Sequence, residues 1–563
     1  MSTLSPFQTL PPHVVKLIVD HVVGSSRLVY DGVRVYSDEY NALLAPLMWV
    51  CSNFRAVALP LYCNMFQMDL TPPLPDDLCV LDMARDDYLG HSTHQLATTL
   101  EIVVEDEAVC SGAALRLLSC APYDGCSFPL VRKFMLTLSP DKLDRVDENA
   151  KTDSLEAEAN VDALVQRIKQ MAPRVSEIAV NQYGFDRPVA ASRHVCDLIL
   201  QLFQLVNRVE LNCYLSSCMT LDLQFDKLCD LTHIKDDCQT SNSLIVQLAR
   251  RNSQTLRSLS IRAEKIDVVG LIQATDGSLI TYPQLLTLKL QEDWEPDPQP
   301  GPVFSGAVPF PNLKCLRICL PYPFGDATMF RGNAATLESL ELELDNLSTG
   351  KLRRHSVFTP ASHPKLRYVN ITLTDPISGG FRTATECMQF VLSIGSRAPV
   401  RIISGLSDYE DFSQVPSVLE NYASIQYLSL FGARLSFWDA ITLIKALPLL
   451  SDLAKVTPYL GEPPQSLRED ELPNYVRATY APMGQRLRCW RITIYAYFTV
   501  SYAELATCML LLALACPNFD YAAVDNSHRQ KFMEAMKQKI GEPEFSQDVP
   551  RLERLLYHGW NYR

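Results

Sequence analysis

The sequence predicts an α/β solenoid, in which short parallel strands stack side by side and helices lie outside them. A skeleton of the form P-x-L-x-x-L-x-L recurs along the chain, and its clearest copy runs from Pro311 to Ile318. The last two apolar positions of the skeleton alternate across one polar residue, which is typical of a short half-buried strand. A single strand of this length cannot bury its apolar face alone, so the recurrence favours a stack of repeats.

Ten copies of this skeleton can be read along the chain, some of them without the proline. Their apolar positions are Val175/Ile178/Val180, Val206/Val209/Leu211, Leu256/Leu259/Ile261, Leu285/Leu288/Leu290, Leu313/Leu316/Ile318, Leu337/Leu340/Leu342, Leu366/Val369/Ile371, Ile425/Leu428/Leu430, Leu487/Trp490/Ile492 and Phe519/Ala522/Val524. Successive copies are 29, 28, 24 and 29 residues apart from Leu256 to Leu366, but 59 residues separate Leu366 from Ile425. This spacing predicts degenerate repeats with insertions. The alternative is an ordinary α/β domain.

Composition and charge narrow the classes of function. The chain has 563 residues, of which 47% are hydrophobic, and a net charge of −13. No basic cluster is visible along the sequence, so nucleic acid is a poor candidate partner. The 17 cysteines are scattered, which favours free thiols in a reducing compartment, cytoplasmic and/or nuclear. We expect no membrane segment, because the longest apolar run, Cys508 to Cys516, is too short to span a bilayer.

Residues 1–70 have a different pattern and predict a small module of three short helices. Pro11 and Pro12 suit a first helical turn, where a missing N–H costs nothing. Apolar side chains then follow at helical spacing: Val14, Val15, Ile18, Val19, Val22 and Val23. Further helical patterns run through Leu43–Phe54 and Val57–Tyr62. A core of this size is marginal unless a partner covers it.

This module resembles an F-box. The matching residues are Leu10-Pro11, Val14-Val15, Ile18-Val19, Leu44, Leu47, Val50-Cys51, Phe54-Arg55-x-Val57-Ala58 and Leu61-Tyr62. The stretch from Val29 to Glu39 makes the connection between the two halves longer than is usual in that family. The resemblance implies docking on a Skp-type adaptor, and through it on a cullin. It implies these adaptor-binding residues: Leu10, Pro11, Val14, Val15, Ile18, Val19, Leu47, Val50, Cys51, Phe54 and Leu61. The alternative is a helical cap over the first repeat.

The repeat array is expected to occupy residues 71–563, beyond the prolines of Thr71–Pro75 that end the first module. Helical segments precede the strands, and two of them begin with capping-box patterns, at Ser436–Asp439 and Ser501–Glu504. The alternation of helix, turn and strand resembles leucine-rich repeats. The resemblance to leucine-rich repeats implies a curved parallel sheet with helices outside. The whole N-terminus is similar to that of a family of fungal proteins that pair an F-box with degenerate leucine-rich repeats.

Four segments depart from the repeat pattern. The polar stretch Asp141–Asn160 is predicted to be a solvated loop or a frayed helix. Glu292–Pro302 carries prolines at alternate positions, so it is predicted to be extended and outside the sheet interior. Thr457–Tyr475 is predicted to be a second polar loop, and His528–Arg563 a mostly helical cap on the last repeat.

No catalytic constellation stands out. The chain has no G-x-S-x-G elbow, phosphate-binding loop, G-x-G-x-x-G fingerprint or H-E-x-x-H motif. His91 and His94 form an isolated pair with no neighbouring cysteine cluster. We therefore expect neither an enzyme nor a cofactor, and the F-box resemblance needs no chemistry in this chain.

The positions between the strand leucines are expected to point away from the core and to form one continuous face. The middle of that face contains the most residues of the types that anchor protein interfaces. The predicted target-binding residues are Arg317, Glu341, Tyr368, Asn370 and Tyr427. With the F-box resemblance, this predicts a substrate-recognition subunit of a Skp–cullin–F-box ubiquitin ligase with an unknown protein target. The alternative is a repeat scaffold with no ligase role, whose N-terminal helices only cap the array.

Overall fold

The computed structural model divides into two compact units, Met1–Leu256 and Arg257–Arg563, which we call unit 1 and unit 2. The residues that it describes are 10–24, 29–30, 33–34, 54, 65–70, 97–119, 126–139, 154–182, 193–212, 228–238, 244–266, 268–274, 276–292, 308–319, 336–344, 365–373, 386, 389, 400–404, 419, 425–462, 467–482, 484, 486–492, 501–519, 521–524, 526–545, 548–549 and 552–553.

The described residues of unit 1 form six parallel strands whose order in the sheet is their order in the chain. Its strands are β1 (Val29–Tyr30), β2 (Val33–Arg34), β3 (Met65–Asp69), β4 (Thr99–Val104), β5 (Lys133–Leu138), β6 (Glu177–Gln182), β7 (Arg208–Asn212) and β8 (Asp230–Cys238), of which β1 and β2 form a separate antiparallel pair. Its described helices are α1 (Pro12–Gly24), α2 (Asp106–Cys110), α3 (Ala113–Leu118), α4 (Ser154–Met171), α5 (Arg193–Phe203) and α6 (Leu244–Arg251).

Helices cover the inner face of this sheet. Phe134 of β5 and Ile178 of β6 line one small cavity together with Ile168 of α4 and Leu202 of α5. All four side chains are almost completely buried. The apolar positions of β5 and β6 therefore meet the apolar faces of α4 and α5 and form a core between them.

In the part of unit 2 that the structure describes, ten parallel strands again follow chain order. They are β9 (Ser258–Ile266), β10 (Thr287–Glu292), β11 (Cys315–Cys319), β12 (Ser339–Leu344), β13 (Tyr368–Leu373), β14 (Val400–Ser404), β15 (Tyr427–Ser436), β16 (Asp452–Tyr459), β17 (Cys489–Ile492) and β18 (Tyr521–Val524). The helices among the described residues are α7 (Val268–Ile272), α8 (Phe437–Ala446), α9 (Leu472–Tyr480), α10 (Tyr502–Ala515) and α11 (Asn526–Ile540), with short 3₁₀ turns at Glu469–Glu471 and Pro543–Phe545.

The predicted leucine stack is confirmed in unit 2. Leu259, Leu288, Leu316, Leu340 and Val369 lie directly opposite one another on β9 to β13. None of the five side chains is more than 1% exposed. The arrangement is that of a leucine-rich-repeat-like solenoid, a mixed α/β fold built on a long parallel sheet.

A shared backbone contact fixes the register of the strands at their amino-terminal ends. The carbonyl of Leu286 accepts hydrogen bonds from the N–H groups of both Lys314 and Cys315, each at 2.9 Å. The carbonyl of Lys314 accepts in the same way from Glu338 and Ser339, at 2.8 and 2.9 Å. Since these bonds involve only the backbone, each strand start is aligned with the next whatever side chains it carries.

Both predicted helix caps are present. Ser436 accepts a hydrogen bond from the N–H of Asp439 at the start of α8, and Ser501 accepts from the N–H of Glu504 at the start of α10. The carboxylate of Glu504 accepts from the backbone N–H of Leu460 at 2.7 Å, so it ties α10 to the chain after β16. The 14-residue α10 is buried almost throughout, and it packs against α9, α11 and β16.

Strands that the skeleton missed fill the irregular intervals. β14 pairs in parallel with β13 and β15, and β16 pairs with β15 and β17. The 59-residue interval between Leu366 and Ile425 therefore contains a further repeat strand. The bounds predicted for the polar loop Thr457–Tyr475 were wrong at both ends, because Thr457 is buried in β16, which ends at Tyr459, and α9 begins at Leu472.

Helix α4 begins at Ser154, inside the stretch Asp141–Asn160 that was predicted to be a solvated loop or a frayed helix. Residues 141–153 lie outside the described residues. Ala157, Val161 and Leu164 are all buried and follow one another at helical spacing. This apolar face outweighs the polar composition of the stretch. The predicted C-terminal helix is present as α11, which ends at Ile540. Of the segment Glu292–Pro302, only Glu292 is described, as the last residue of β10.

The described part of the N-terminal module comprises α1, the antiparallel pair of β1 and β2, the buried Phe54, and β3, which pairs with β4. Leu47, Val50, Cys51 and Leu61 lie outside the described residues. Among the described helices of the chain, none has the length and apolar character to cross a bilayer.

Candidate interaction surfaces

The outward face of unit 2 consists of side-chain rows that run across the strands. The first row contains Ser258, Thr287, Cys315, Ser339 and Tyr368, and the second contains Ser260, Lys289, Arg317, Glu341 and Asn370. Because successive residues of a strand point to opposite sides, these rows alternate with the buried leucine row. Neighbouring members of a row lie about 4.8 Å apart, as the strands do.

Arg317 and Glu341, two of the predicted target-binding residues, face each other on β11 and β12. The Nε of Arg317 lies 3.4 Å from a carboxylate oxygen of Glu341, and the side chains are 48% and 31% exposed. An ion pair at this exposure contributes at most about 1 kcal/mol to stability. Glu341 is thus a charge partner for Arg317 within the chain, and both groups remain accessible.

Asn370 and Tyr368 extend the same surface onto β13. Asn370 is next to Glu341 in the second row, and Tyr368 is next to Ser339 in the first. Both side chains are half-buried. Four of the five predicted target residues are therefore together on three adjacent strands.

Tyr427, the fifth predicted residue, lies two strands beyond β13 and belongs to a different cluster. Its neighbours across β16 and β17 are Asp452 and Cys489, and Arg491 lies two residues further along β17. Burial raises the pKa of the Cys489 thiol to about 12, although the nearby Arg491 acts to lower it. The thiol is thus protonated at neutral pH and is not an activated nucleophile.

Unit 1 has an outward row that was not among the predicted site residues. Lys133, Glu177, Arg208 and Asp230 alternate in sign across β5 to β8. Lys133 is 3.0 Å from Glu177 and 2.8 Å from Glu210, and Arg208 is 2.7 Å from Asp230. Arg317 was predicted to face outward from the alternation of side chains along its strand. The same alternation, applied to β5 to β8, predicts that this row faces outward too.

Burial and charge act on Lys133 in opposite directions. Burial acts to lower the pKa of its ammonium group, but the carboxylates of Glu210 and Glu177 outweigh it, so the pKa is raised. Nearby, Glu101 is only 4% exposed and accepts a hydrogen bond of 2.6 Å from the hydroxyl of Thr137. The polar groups of this face are therefore engaged largely with one another.

The N-terminal helix α1 has one buried side and one exposed side. Val15 and Val19 are completely buried, while Leu10, Val14 and Ile18 are half-buried and Pro11 is exposed. Leu17, which was not among the predicted residues, is 65% exposed. An exposed leucine beside half-buried apolar side chains leaves an apolar edge on the helix.

The described residues contain no group of three or more His, Cys, Asp or Glu side chains that could hold a metal ion. His91 and His94 lie outside them.

Comparison with known proteins gives only distant likeness. No protein-family model matches the chain, and no curated protein matches it. Solved structures that match include the crystal structure of a TLR13–ssRNA13 complex, with 11% sequence identity and a TM-score of 0.35. That match covers 76% of this chain and 49% of the other, so this chain spans about half the length of its structural neighbour.

Proposed function

We propose that this chain is a protein-interaction scaffold that binds a protein target on the outward face of unit 2. The observation that carries the proposal is the continuous pair of polar rows on β9 to β13, held in register by a parallel sheet. Arg317, Glu341, Tyr368 and Asn370 lie together on this face. Arginine and tyrosine are enriched among residues that dominate binding energy. A rigid sheet presents them without the entropic cost of ordering a loop.

We further propose that the scaffold is the substrate-recognition subunit of a Skp–cullin–F-box ubiquitin ligase. The support is the F-box resemblance of residues 10–62, together with the apolar edge of α1 formed by Val14, Leu17 and Ile18. The mechanism would be proximity, since a tethered target exposes its lysines to a charged conjugating enzyme at high effective concentration. Catalysis belongs to other subunits in this scheme.

One experiment with the full chain tests the proposed binding of a Skp adaptor. Leu17→Asp and Ile18→Asp are compared with wild type for capture of a purified Skp adaptor. The matched control is Leu155→Asp, since Leu155 is a 78% exposed leucine on α4. We expect adaptor capture to be lost in the α1 variants only. Wild-type capture by both α1 variants would refute the F-box assignment.

A separate experiment tests the proposed binding of a protein target on unit 2. Replacing Arg317, Tyr368 and Tyr427 by Ala together should leave adaptor capture and thermal unfolding unchanged while removing the co-purified targets. An unchanged set of targets would move the target site away from this face.

A scaffold without a ligase role is the second candidate. It is favoured by the complete burial of Val15 and Val19, because a helix that caps the array would direct its apolar stripe inward. Adaptor capture distinguishes the two candidates. A capping role predicts that the wild-type chain captures no adaptor, and that the Leu17→Asp protein behaves like the wild type in every assay.

A further inference from the structure

The amino-terminal edge of β9 to β13 carries a regular row of exposed side chains. Each residue of the row comes directly before its strand, and the row reads Arg257, Leu286, Lys314, Glu338, Arg367. The shared carbonyl contacts fix its order, since Leu286 bonds to the strand start of β11 and Lys314 to that of β12. Cations thus precede β9, β11 and β13, while an apolar residue precedes β10 and an acidic residue precedes β12.

Further cations lie beside this row. Lys365 precedes Arg367 by two residues and is exposed, and Lys289 and Arg317 are exposed members of the second outward row. Against these six cations stand the two carboxylates of Glu338 and Glu341, which leaves a net of four positive charges. The whole chain has a net charge of −13. We name this group of eight residues together with Leu286 the basic edge.

The ion pairs in the basic edge do not remove its charge. Lys314 is 3.4 Å from Glu338, with side-chain exposures of 52% and 43%. Pairs this open are weak and leave the cation available to a second carboxylate. A concentrated positive area on an acidic protein attracts anionic groups at long range.

The spacing of the cations narrows the kind of partner. Parallel strands are about 4.8 Å apart, so Arg257, Lys314 and Arg367 follow one another at intervals of about 9.6 Å. A polyproline II helix repeats every three residues with a rise of about 3.1 Å each, or about 9.3 Å per turn. A peptide with an acidic residue at every third position can therefore place one carboxylate at each cation. The exposed Leu286 adds an apolar contact between the first two cations.

We propose that the basic edge binds an acidic segment of a protein partner, extended as a polyproline II helix with carboxylates three residues apart. The proposal rests on the proposed target-binding function of unit 2 and names the chemistry of the segment recognised. A nucleic acid fits less well, because its uniform phosphate charge would meet Glu338 and Glu341. A peptide can leave uncharged residues at those points.

Fluorescence anisotropy with synthetic peptides tests the proposal on the full chain. The probe is a labelled (Glu-Pro-Pro) repeat spanning the three cations. One comparison peptide has the same composition with its glutamates adjacent, and another has Gln in place of Glu. We expect the spaced peptide to bind about tenfold more tightly than either comparison peptide. Binding should weaken as salt shortens the Debye length from about 10 Å to about 3 Å.

Charge-reversal variants locate the site. Arg257→Glu, Lys314→Glu and Arg367→Glu combined should weaken binding about tenfold. The matched control combines Lys169→Glu, Arg174→Glu and Lys537→Glu, which changes the net charge equally at exposed positions elsewhere. If circular dichroism shows that the charge-reversal variant does not fold, a variant with Gln at Arg257, Lys314 and Arg367 replaces it in the binding measurement.

Several results would overturn the proposal. They are equal binding of the respaced peptide, equal loss in the control variant, or tighter binding of a single-stranded RNA or an anionic vesicle through the same three residues. If the peptide fails to bind while the Arg317/Tyr368/Tyr427 variant still loses its targets, the target face stands and only the acidic-segment assignment fails.

Discussion

Replacing Lys133 by Met should loosen the strands that it joins in unit 1. Lys133 on β5 bonds to Glu177 on β6 and to Glu210 on β7, at 3.0 and 2.8 Å. Its removal leaves two carboxylates close together without a counter-charge. Hydrogen bonds to charged groups contribute about 1.5–3 kcal/mol each. The side chains are 27–30% exposed, so solvent screening reduces this, and we expect a total loss of about 2 kcal/mol.

Hydrogen exchange followed by mass spectrometry measures this loss locally. Amides of β5 to β7 that exchange by local opening should exchange about thirtyfold faster in the Lys133→Met protein. Lys169→Met is the control, because Lys169 is exposed on α4 of the same unit. Adding Glu210→Gln should restore part of the protection, since it removes one unpaired carboxylate. Unchanged exchange in β5 to β7 would show that the ion pairs do not hold these strands together.

The same site has a pH dependence of known sign. The pKa of Lys133 is raised in the folded chain, so its stabilising effect is complete below the unfolded lysine pKa of about 10.4. The effect is lost as the pH rises through the folded pKa. The difference in exchange between wild type and Lys133→Met, after correction for intrinsic rates, should therefore be constant near neutrality and shrink only in the alkaline range. A difference that disappeared between pH 6 and pH 8 would contradict this assignment.

Two further predictions concern unit 2. Leu316→Ala or Leu340→Ala should each destabilise it by about 2–5 kcal/mol, because both side chains are at most 1% exposed in the leucine stack, and a melting curve identical to wild type would contradict the stack. Because burial raises its pKa to about 12, Cys489 should react with iodoacetamide at pH 8 far more slowly than the half-buried Cys315, as peptide mass mapping can measure. Equal labelling of the two thiols would indicate that Cys489 is more accessible than the fold implies.

The repeated skeleton missed two strands that keep only two of its three apolar positions. Leu228 and Leu231 match the first two positions of the skeleton around β8, and the third is His233. Around β16 the third position is Lys455. A stacked repeat receives its backbone hydrogen bonds from the neighbouring strands, so one polar substitution does not prevent strand formation. Fold class could thus be predicted from the periodicity, whereas the number of repeats could not.

The outward residues were predictable for the same reason that the core was. Alternation along each strand assigns Arg317 and Glu341 to one face, and the observed register then brings them together. The basic edge could not be found in this way. Its cations Arg257, Lys314 and Arg367 are more than 50 residues apart from one to the next, so no local charge cluster is visible in the sequence. Only the stacking of repeats brings them into one row.

The two units differ in what their charged rows leave available to a partner. In unit 1, Lys133 is 29% exposed and lies within 3.0 Å of two carboxylates, so an incoming anion would have to displace existing contacts. In unit 2, Lys314 and Arg317 are 52% and 48% exposed, and each lies 3.4 Å from a carboxylate oxygen. Displacing a short and partly buried pair costs more than adding a carboxylate beside a loose and solvated one. The same repeat geometry thus joins neighbouring strands in unit 1 and leaves accessible cations in unit 2, where we propose that a partner binds.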